Sequence, residues 1–454
     1  MRLALPALLA LTACGSASFP NVSCKDAASE SCVEVDPLDE EQSLLDVVNT
    51  VGSDTTIVLG EGTFSMDNQV TFRGADGLVF MGQGMDETVL DFGEMTTQGN
   101  GVDAIAEGFT IEKLTILDAP KDGLRVEAST DVVIREVRAT WTNENDPGNG
   151  GYGLYPVSSE RVLIEDSEAF NASDAGVYVG QCIEAVVRRN TAQKNVAGLE
   201  IENTQYADVY ENIVTDNTGG LVVFDLPGNP VVGRDVLIHD NVVTDNNRAN
   251  FAPGGTVAYI PAGTGTFAMA SRRVEITSNT YANNNSVDIA LISGMVVDSD
   301  PEKWAIPEGD LVGSIEGLQL DTADGVVMNF RSSEIYVHDN SHSGSGTDPD
   351  NSDQEVRELG FLLWVAWGST PVDTVLYDTI GESSFDIEDA SKNSNDNHIC
   401  VKATDGVSFA SMNLENVPAL PSKDKMFRPE PPFTPFDCDS FTGGPLVTPT
   451  FAAE

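Results

Sequence analysis

Glycine returns along this chain at a nearly fixed interval, each time opening a similar short segment. Gly123 opens DGLRVE, Gly153 YGLYPV, Gly176 AGVYVG, Gly198 AGLEIE and Gly220 GGLVVF, spaced 30, 23, 22 and 22 residues apart. Leu124, Leu154, Val177, Leu199 and Leu221 follow directly, and Ile134, Ile164, Val187 and Val209 come eleven positions after the first four glycines. Fourteen positions after Gly176 and Gly198 stand Asn190 and Asn212; Asn241, Asn279 and Asn340 continue that column once insertions are allowed for. A period of 22 to 23 residues with two or three short β-rich segments per repeat predicts a solenoid of stacked coils. Leucine-rich repeats share the period, but their dense leucines and their helix per turn are missing. The expected fold is therefore all-β, a parallel β-helix. Stacking aligns like residues, and buried Asn side chains can hydrogen-bond along the axis. The Asn column is read as turn structure in preference to a polar site.

The flanks differ from the coils. MRLALPALLALTAC has one positive charge, Arg2, then an apolar run too short to span a bilayer, which reads as an export signal over residues 1–13. Leu11-Thr12-Ala13-Cys14 resembles a bacterial lipobox, in which Cys14 becomes a lipidated N-terminus; a soluble signal with a chance cysteine is the alternative. Gly15 follows and no Asp retention signal is present, which points to an outer-membrane lipoprotein held only by its lipid. Residues 14–35 then form a polar tether, and 36–51 a capping helix starting at Asp36 and Pro37. Coils are expected over 52–415, and 416–454 is an extended tail holding eight of the 22 prolines.

Charge narrows the partners. Against 72 Asp and Glu stand 24 Lys and Arg, a formal charge of −48. That field repels nucleic acid and anionic membrane surfaces and suits a protein that lives in salt or binds divalent cations. An oxidising compartment makes pairs of Cys24 with Cys32 and of Cys400 with Cys438. Cys182, inside a periodic strand, is expected to pack as a small apolar residue.

The glycine-opened coils, the segment GLVFMGQGMDETVLDFG and the Asn-bearing turns resemble the pectin-lyase-like right-handed parallel β-helix superfamily. They more closely resemble an exported bacterial lipoprotein family of β-helix repeat proteins without established function. The resemblance spans residues 52 to 345, and 415 at its furthest, and implies a right-handed helix. Members of that family tend to be encoded beside a c-type cytochrome, which implies an envelope partner of that kind. There is also a distant similarity to mannuronan C5-epimerases. Their Tyr-Gly-x-Asp-Pro-His-Asp run is matched by Tyr152, Gly153 and Pro156, but Tyr155, Val157 and Ser158 replace its acid and base. Those groups supply no carboxylate–imidazole pair near neutral pH. The aspartate signatures of the hydrolases of this fold are absent as well.

Other chemistry is sparse. His239 and His338 each precede an Asp-Asn turn, while His342 and His398 lie in loop-like sequence. Asp348, Asp350 and Ser352 alternate like the start of a calcium loop, but Asp353 stands where an EF-hand needs Gly and Leu359 where it needs Glu, which leaves Asp348, Asp350 and Asp353 as metal candidates. A looser calcium site there stays open beside a solvated acidic loop.

Strand alternation offers more. Two residues after each coil glycine the side chain points outward, giving Arg125, Tyr155, Tyr178 and Glu200; two residues further come Glu127, Val157, Gly180 and Glu202. Tyrosines one coil apart stand about 4.8 Å apart. An aromatic strip between an arginine and carboxylates suits sugar rings, with residues 142–148 as a wall beside it; plain cross-coil packing is the alternative. The expected function is an envelope protein that binds a polysaccharide or partner protein without catalysis. A uronate-glycan epimerase or lyase and a cytochrome scaffold are the other readings.

Overall fold

The computed structural model describes residues 22–25, 27, 29, 31–38, 43–352, 358–368, 370–404, 406–414 and 425–451. Cys14 and Asp353 lie outside the described residues.

One coil shows how the repeat arises. Ala175–Gly180 is a strand, Ile183–Arg188 a second and Thr191–Gln193 a third, after which Ala197–Glu202 begins the next coil. Four residues with left-handed backbone turn the corners: Gln181, Glu184, Arg189 and Lys194, with φ of 53°, 62°, 56° and 63°. Asn203, Tyr206, Glu211 and Asp216 repeat them in the next coil. L-residues disfavour this conformation, so it recurs only because stacking enforces it. The opening strands form one parallel sheet of eleven, and the second and third strands belong to a sheet of twenty. Val177, Val179, Ala185, Val187 and Ala192 point inward and are buried, a pattern each coil repeats along a single core. The fold is a right-handed parallel β-helix.

The Asn column is a ladder. The amide nitrogen Nδ2 of Asn190 donates to Oδ1 of Asn212 at 3.0 Å, Asn212 to Asn241 at 2.9 Å, Asn241 to Asn279 at 2.9 Å and Asn279 to Asn340 at 3.0 Å. Each Oδ1 also accepts a backbone N–H from the preceding coil, as Asn241 does from Asn212 at 3.0 Å. A second ladder runs five residues on through Asn195, Asn217, Asn246 and Asn284. A left-handed residue precedes every rung, so the corner and its amide form one unit.

The N-terminal region departs from expectation in two places. The expected tether over 14–35 ends in a strand, Ser31–Val35, paired in parallel with Thr55–Leu59 and tied by the Cys24–Cys32 bridge. The helix covers only Leu44–Thr50. Asp36 caps a turn by accepting from the Leu38 N–H at 2.9 Å. Ser43 is the helix cap, accepting from Asp46 N at 3.2 Å and donating to its carboxylate at 2.8 Å.

Insertions cover the outer face of the eleven-stranded sheet from Tyr178 onward. Residues 247–262 and the helix Glu358–Trp367 lie over it, and a separate insertion forms an antiparallel three-stranded sheet within 305–328. The first two join a second apolar cluster through Val257, Ile260, Leu363 and Trp367. After the Cys400–Cys438 bridge the chain turns back. Thr442 bonds Glu334, Gly444 and Pro445 accept from Arg273 at 3.2 and 2.8 Å, Val447 N donates to Asp235 at 2.9 Å, and Thr450 donates to Glu184 at 3.0 Å. This strap crosses one column of left-handed corners in reverse order.

Candidate functional site

Arg125 pairs in register with Tyr155, and Tyr178 with Glu200, so the outward column forms as a column. Tyr155 and Tyr178 stand edge to face with centroids 4.8 Å apart. Outward, however, is not exposed. Tyr178, Glu200 and Glu202 are buried: the 247–262 insertion brings Phe251, Ala252, Val257 and Ile260 into the cluster that contains Tyr178, and Asn229 Nδ2 donates to Glu202 Oε1 at 3.2 Å. The Tyr178 ring lies over Gly180, where any Cβ would overlap it, and its hydroxyl donates to Glu202. Arg125 and Glu127 remain half-buried at one end, joined by a 2.7 Å ion pair. The wall expected at 142–148 touches the insertion where Arg248 Nη1 donates to Asn145 at 2.7 Å.

Three members of the site escaped the column argument. Tyr152, half-buried, packs 4.6 Å from Tyr155 and 4.5 Å from Tyr178. Its signal was its place: the residues that pair along its column, Ala175, Ala197 and Gly219, are small. Asp122 and Asp174 flank Gly151, where a Cβ would lie 3.6 Å from Asp122 Oδ1 and 3.9 Å from the Asp174 Cβ. They lie just before their coil glycines, where strand alternation gives no direction.

The epimerase-like strand supplies fold residues. Val157 is buried, and Ser158 is a left-handed corner with φ of 50°. His239 and His338 stack on Tyr210 and Tyr336, each between two carboxylates. His342 lies against Tyr281 with Nδ1 2.9 Å from Asp288, and His398 Nε2 is 2.8 Å from the Ser440 carbonyl. Cys182 is buried, and burial pushes its thiol up to about 12.

Burial dominates the electrostatics of the tyrosine cluster. It raises Asp122 to about 6, with Lys121 opposing, and Asp174 to about 7, with Glu202 adding and a hydrogen bond from Tyr152 opposing. Burial also lifts Glu200 well above the carboxylate range, helped by Asp174 and Glu202, and its Oε2 has no hydrogen-bond partner. Tyr155 rises to about 12 for the same reason, so all the phenols stay protonated. Near neutral pH the cluster therefore offers hydroxyl donors and carboxyls that exchange a proton.

Among the described residues no three carboxylates converge as metal ligands; the one convergent trio, His398, Cys400 and Cys438, has both sulfurs in a disulfide. Asp348 is exposed, and Asp350 accepts from Ala262 N at 3.0 Å and Ser352 N at 2.9 Å, which fastens two turns together. Beyond Gly255, whose added Cβ would lie 3.7 Å from Asp174 Oδ2, a cleft of about 240 Å³ continues between Leu226, Tyr259, Val297, Asp298 and Trp304.

A proton held by Asp174 has a thermodynamic signature. Its folded pKa, about 7, lies above the ordinary 3.8, so its stabilising contribution is complete below about pH 4 and is lost as pH rises through 7. Asp174→Asn is expected to exceed wild type in stability by about 2–4 kcal/mol at pH 8, the gain vanishing near pH 4. Denaturant unfolding across pH measures this, and parallel profiles would exclude the buried proton.

The family model described as right handed beta helix region matches residues 94–257 and 143–300. A cell surface glycoprotein of Haloarcula marismortui is 22% identical over 373 residues, which is 78% of this chain and 38% of that protein. The chain thus spans well under half the length of that relative. Among solved structures, the A-module of the Azotobacter vinelandii mannuronan C-5 epimerase AlgE4 is 14% identical with a TM-score of 0.36, covering 66% of this chain and 90% of its own. A hyperthermoactive exopolygalacturonase from Thermotoga maritima is 11% identical with a TM-score of 0.41, covering 65% and 76%. The chain is a right-handed parallel β-helix, and the matching family model spans residues 94 to 300, just under half of it.

Proposed function

We propose that this is a cell-surface protein that binds a polysaccharide in the groove running from Tyr155 and Tyr152 past Asp174 to the cleft at Tyr259, without transforming it. The carrying observation is the half-buried tyrosine pair backed by carboxyls raised to about 6 and 7. Ring faces take the apolar faces of sugars, and phenols and protonated carboxyls donate to sugar oxygens. A net charge of −48 favours a neutral glycan over a polyuronate. The surface location draws on the exported N-terminus, with Cys14 as lipid anchor, and on the name of the Haloarcula relative. Tyr178, Glu200 and Glu202 lie beneath the groove and shape it.

Tyr155→Ala should weaken glycan binding by about 1–3 kcal/mol, as stacking does on other aromatic platforms, with unchanged unfolding. Affinity electrophoresis against neutral and acidic polysaccharides measures it; full retention in the Ala variant would reduce the cluster to packing. Asp122 and Asp174, titrating at about 6 and 7, favour a second reading, acid–base chemistry on a bound glycan. New reducing ends, unsaturated sugars or proton exchange with wild type would select it. A cytochrome scaffold would show instead as capture of a haem protein with no glycan response.

A further inference from the structure

The second cavity lies away from the tyrosines, where the inserted antiparallel sheet and the 378–397 loop meet the coils. About 160 Å³ is enclosed by residues that include Arg272, Asp321, Arg331, Ser333 and Asn397. Its mouth is open, at Gln319 and Asp321. Its floor is closed: the Arg272 side chain is 1% exposed and Ser333 is buried.

Arg272 is poorly satisfied for a buried guanidinium. Among the described residues its one hydrogen bond runs from Nη1 to the Ala270 carbonyl at 2.8 Å, and Nε has no partner. Asp225 Oδ2 lies 3.6 Å away, but that carboxylate already accepts from Gly233 N at 2.9 Å and Asn329 Nδ2 at 2.9 Å. The Ser333 hydroxyl is buried without a partner as well. Arg273, next in sequence, shows the contrast, with carboxylates at 3.0 and 3.3 Å and two carbonyls. Leaving buried donors unmade costs free energy, and the space beside them holds more than a water, which needs roughly 10–15 Å³ on this measure.

We infer that this cavity is a binding site for a small carboxylate. A guanidinium with its Nε–H and a neighbouring Nη–H free presents the planar fork that a carboxylate accepts in two bonds. Ser333 adds a third donor. Arg331, whose Nε lies 2.7 Å from Asp321 Oδ2, places a neutralised ion pair at the mouth, able to meet a hydroxyl or ammonium group on the same ligand. The site is separate from the glycan groove in residues and in chemistry.

The test uses the full chain and acetate as probe. Thermal unfolding and calorimetric titration are run in sodium acetate against sodium chloride at equal ionic strength, with acetamide and sulfate as parallel arms. A saturable rise in Tm with acetate and none with acetamide is expected. Ser333→Ala, which removes one donor and leaves Arg272 in place, should weaken acetate about tenfold. No saturable acetate response, a response to sulfate alone, or equal acetate affinity in Ser333→Ala would each overturn the assignment, leaving a cavity filled by water or by another anion.

Discussion

Arg273→Met is expected to destabilise the folded chain by about 3–5 kcal/mol, the usual cost of removing one partner from a buried ion pair. The guanidinium is buried between Asp235 Oδ1 at 3.0 Å and Glu334 Oε2 at 3.3 Å, and also holds two strap carbonyls. Asp235 keeps Arg234 at 2.6 Å when Arg273 is lost, whereas among the described residues Glu334 keeps no cation. The damage should therefore trace to Glu334. Adding Glu334→Gln to the Met variant should recover much of the loss. Urea unfolding of the two single variants and the double variant completes the cycle. Additive losses would show that the strap contacts, and not the stranded carboxylate, carry the effect. Position 273 is a left-handed corner in either case, so backbone strain is shared by arginine and methionine.

Asn241→Ala is expected to cost about 3–6 kcal/mol. The side chain donates to Val209 O and Asn279 Oδ1 at 2.9 Å each, and accepts from Asn212 N at 3.0 Å and Asn212 Nδ2 at 2.9 Å. Its loss strands several buried groups at about 1–3 kcal/mol each. Among the described residues the terminal rung Asn340 accepts from Asn279 but donates only to Ile276 O, so Asn340→Ala should cost less. Chemical denaturation of the two variants ranks them; equal losses would mean that the rungs act singly rather than as a chain.

What the sequence made legible follows from what repeats. The coil glycines, the inward Leu and Val positions and the first Asn column recur because each coil sits in register on the last. The second Asn column has the same spacing but ends at Asn284, where the next rung is Ser345, so its shorter run hid it. Alternation gave the direction of Tyr155, Tyr178, Glu200 and Glu202 correctly, but Tyr178, Glu200 and Glu202 are buried. Whether an outward side chain meets water depends on residues 247–262, which no periodic signal ties to the tyrosine coils. Asp122 and Asp174 lie outside the strands, so nothing aligned them with the strip. The helix start was misplaced because Asp36-Pro37 resembles a cap, while Ser43 with Asp46 makes the hydrogen bonds. Proline density announced an extended tail, yet its path depends on the charges of Glu184, Asp235, Arg273 and Glu334, which sit at corners and not on strand faces.

The returning tail also bears on how this molecule can change over evolutionary time. Solenoids readily gain or lose whole repeats, because each repeat touches only its neighbours. Here one peptide reads corners of a single column, Thr442 at Glu334, Gly444 and Pro445 at Arg273, Val447 at Asp235 and, past Tyr206, Thr450 at Glu184. Duplicating or deleting a coil between Glu184 and Glu334 would displace every contact beyond the change by about 4.8 Å, so the strap acts as a gauge of coil number. Unequal recombination is thereby confined to coils the strap does not measure, such as those opened by Gly123 and Gly153, and it is in those coils that Tyr152 and Tyr155 lie.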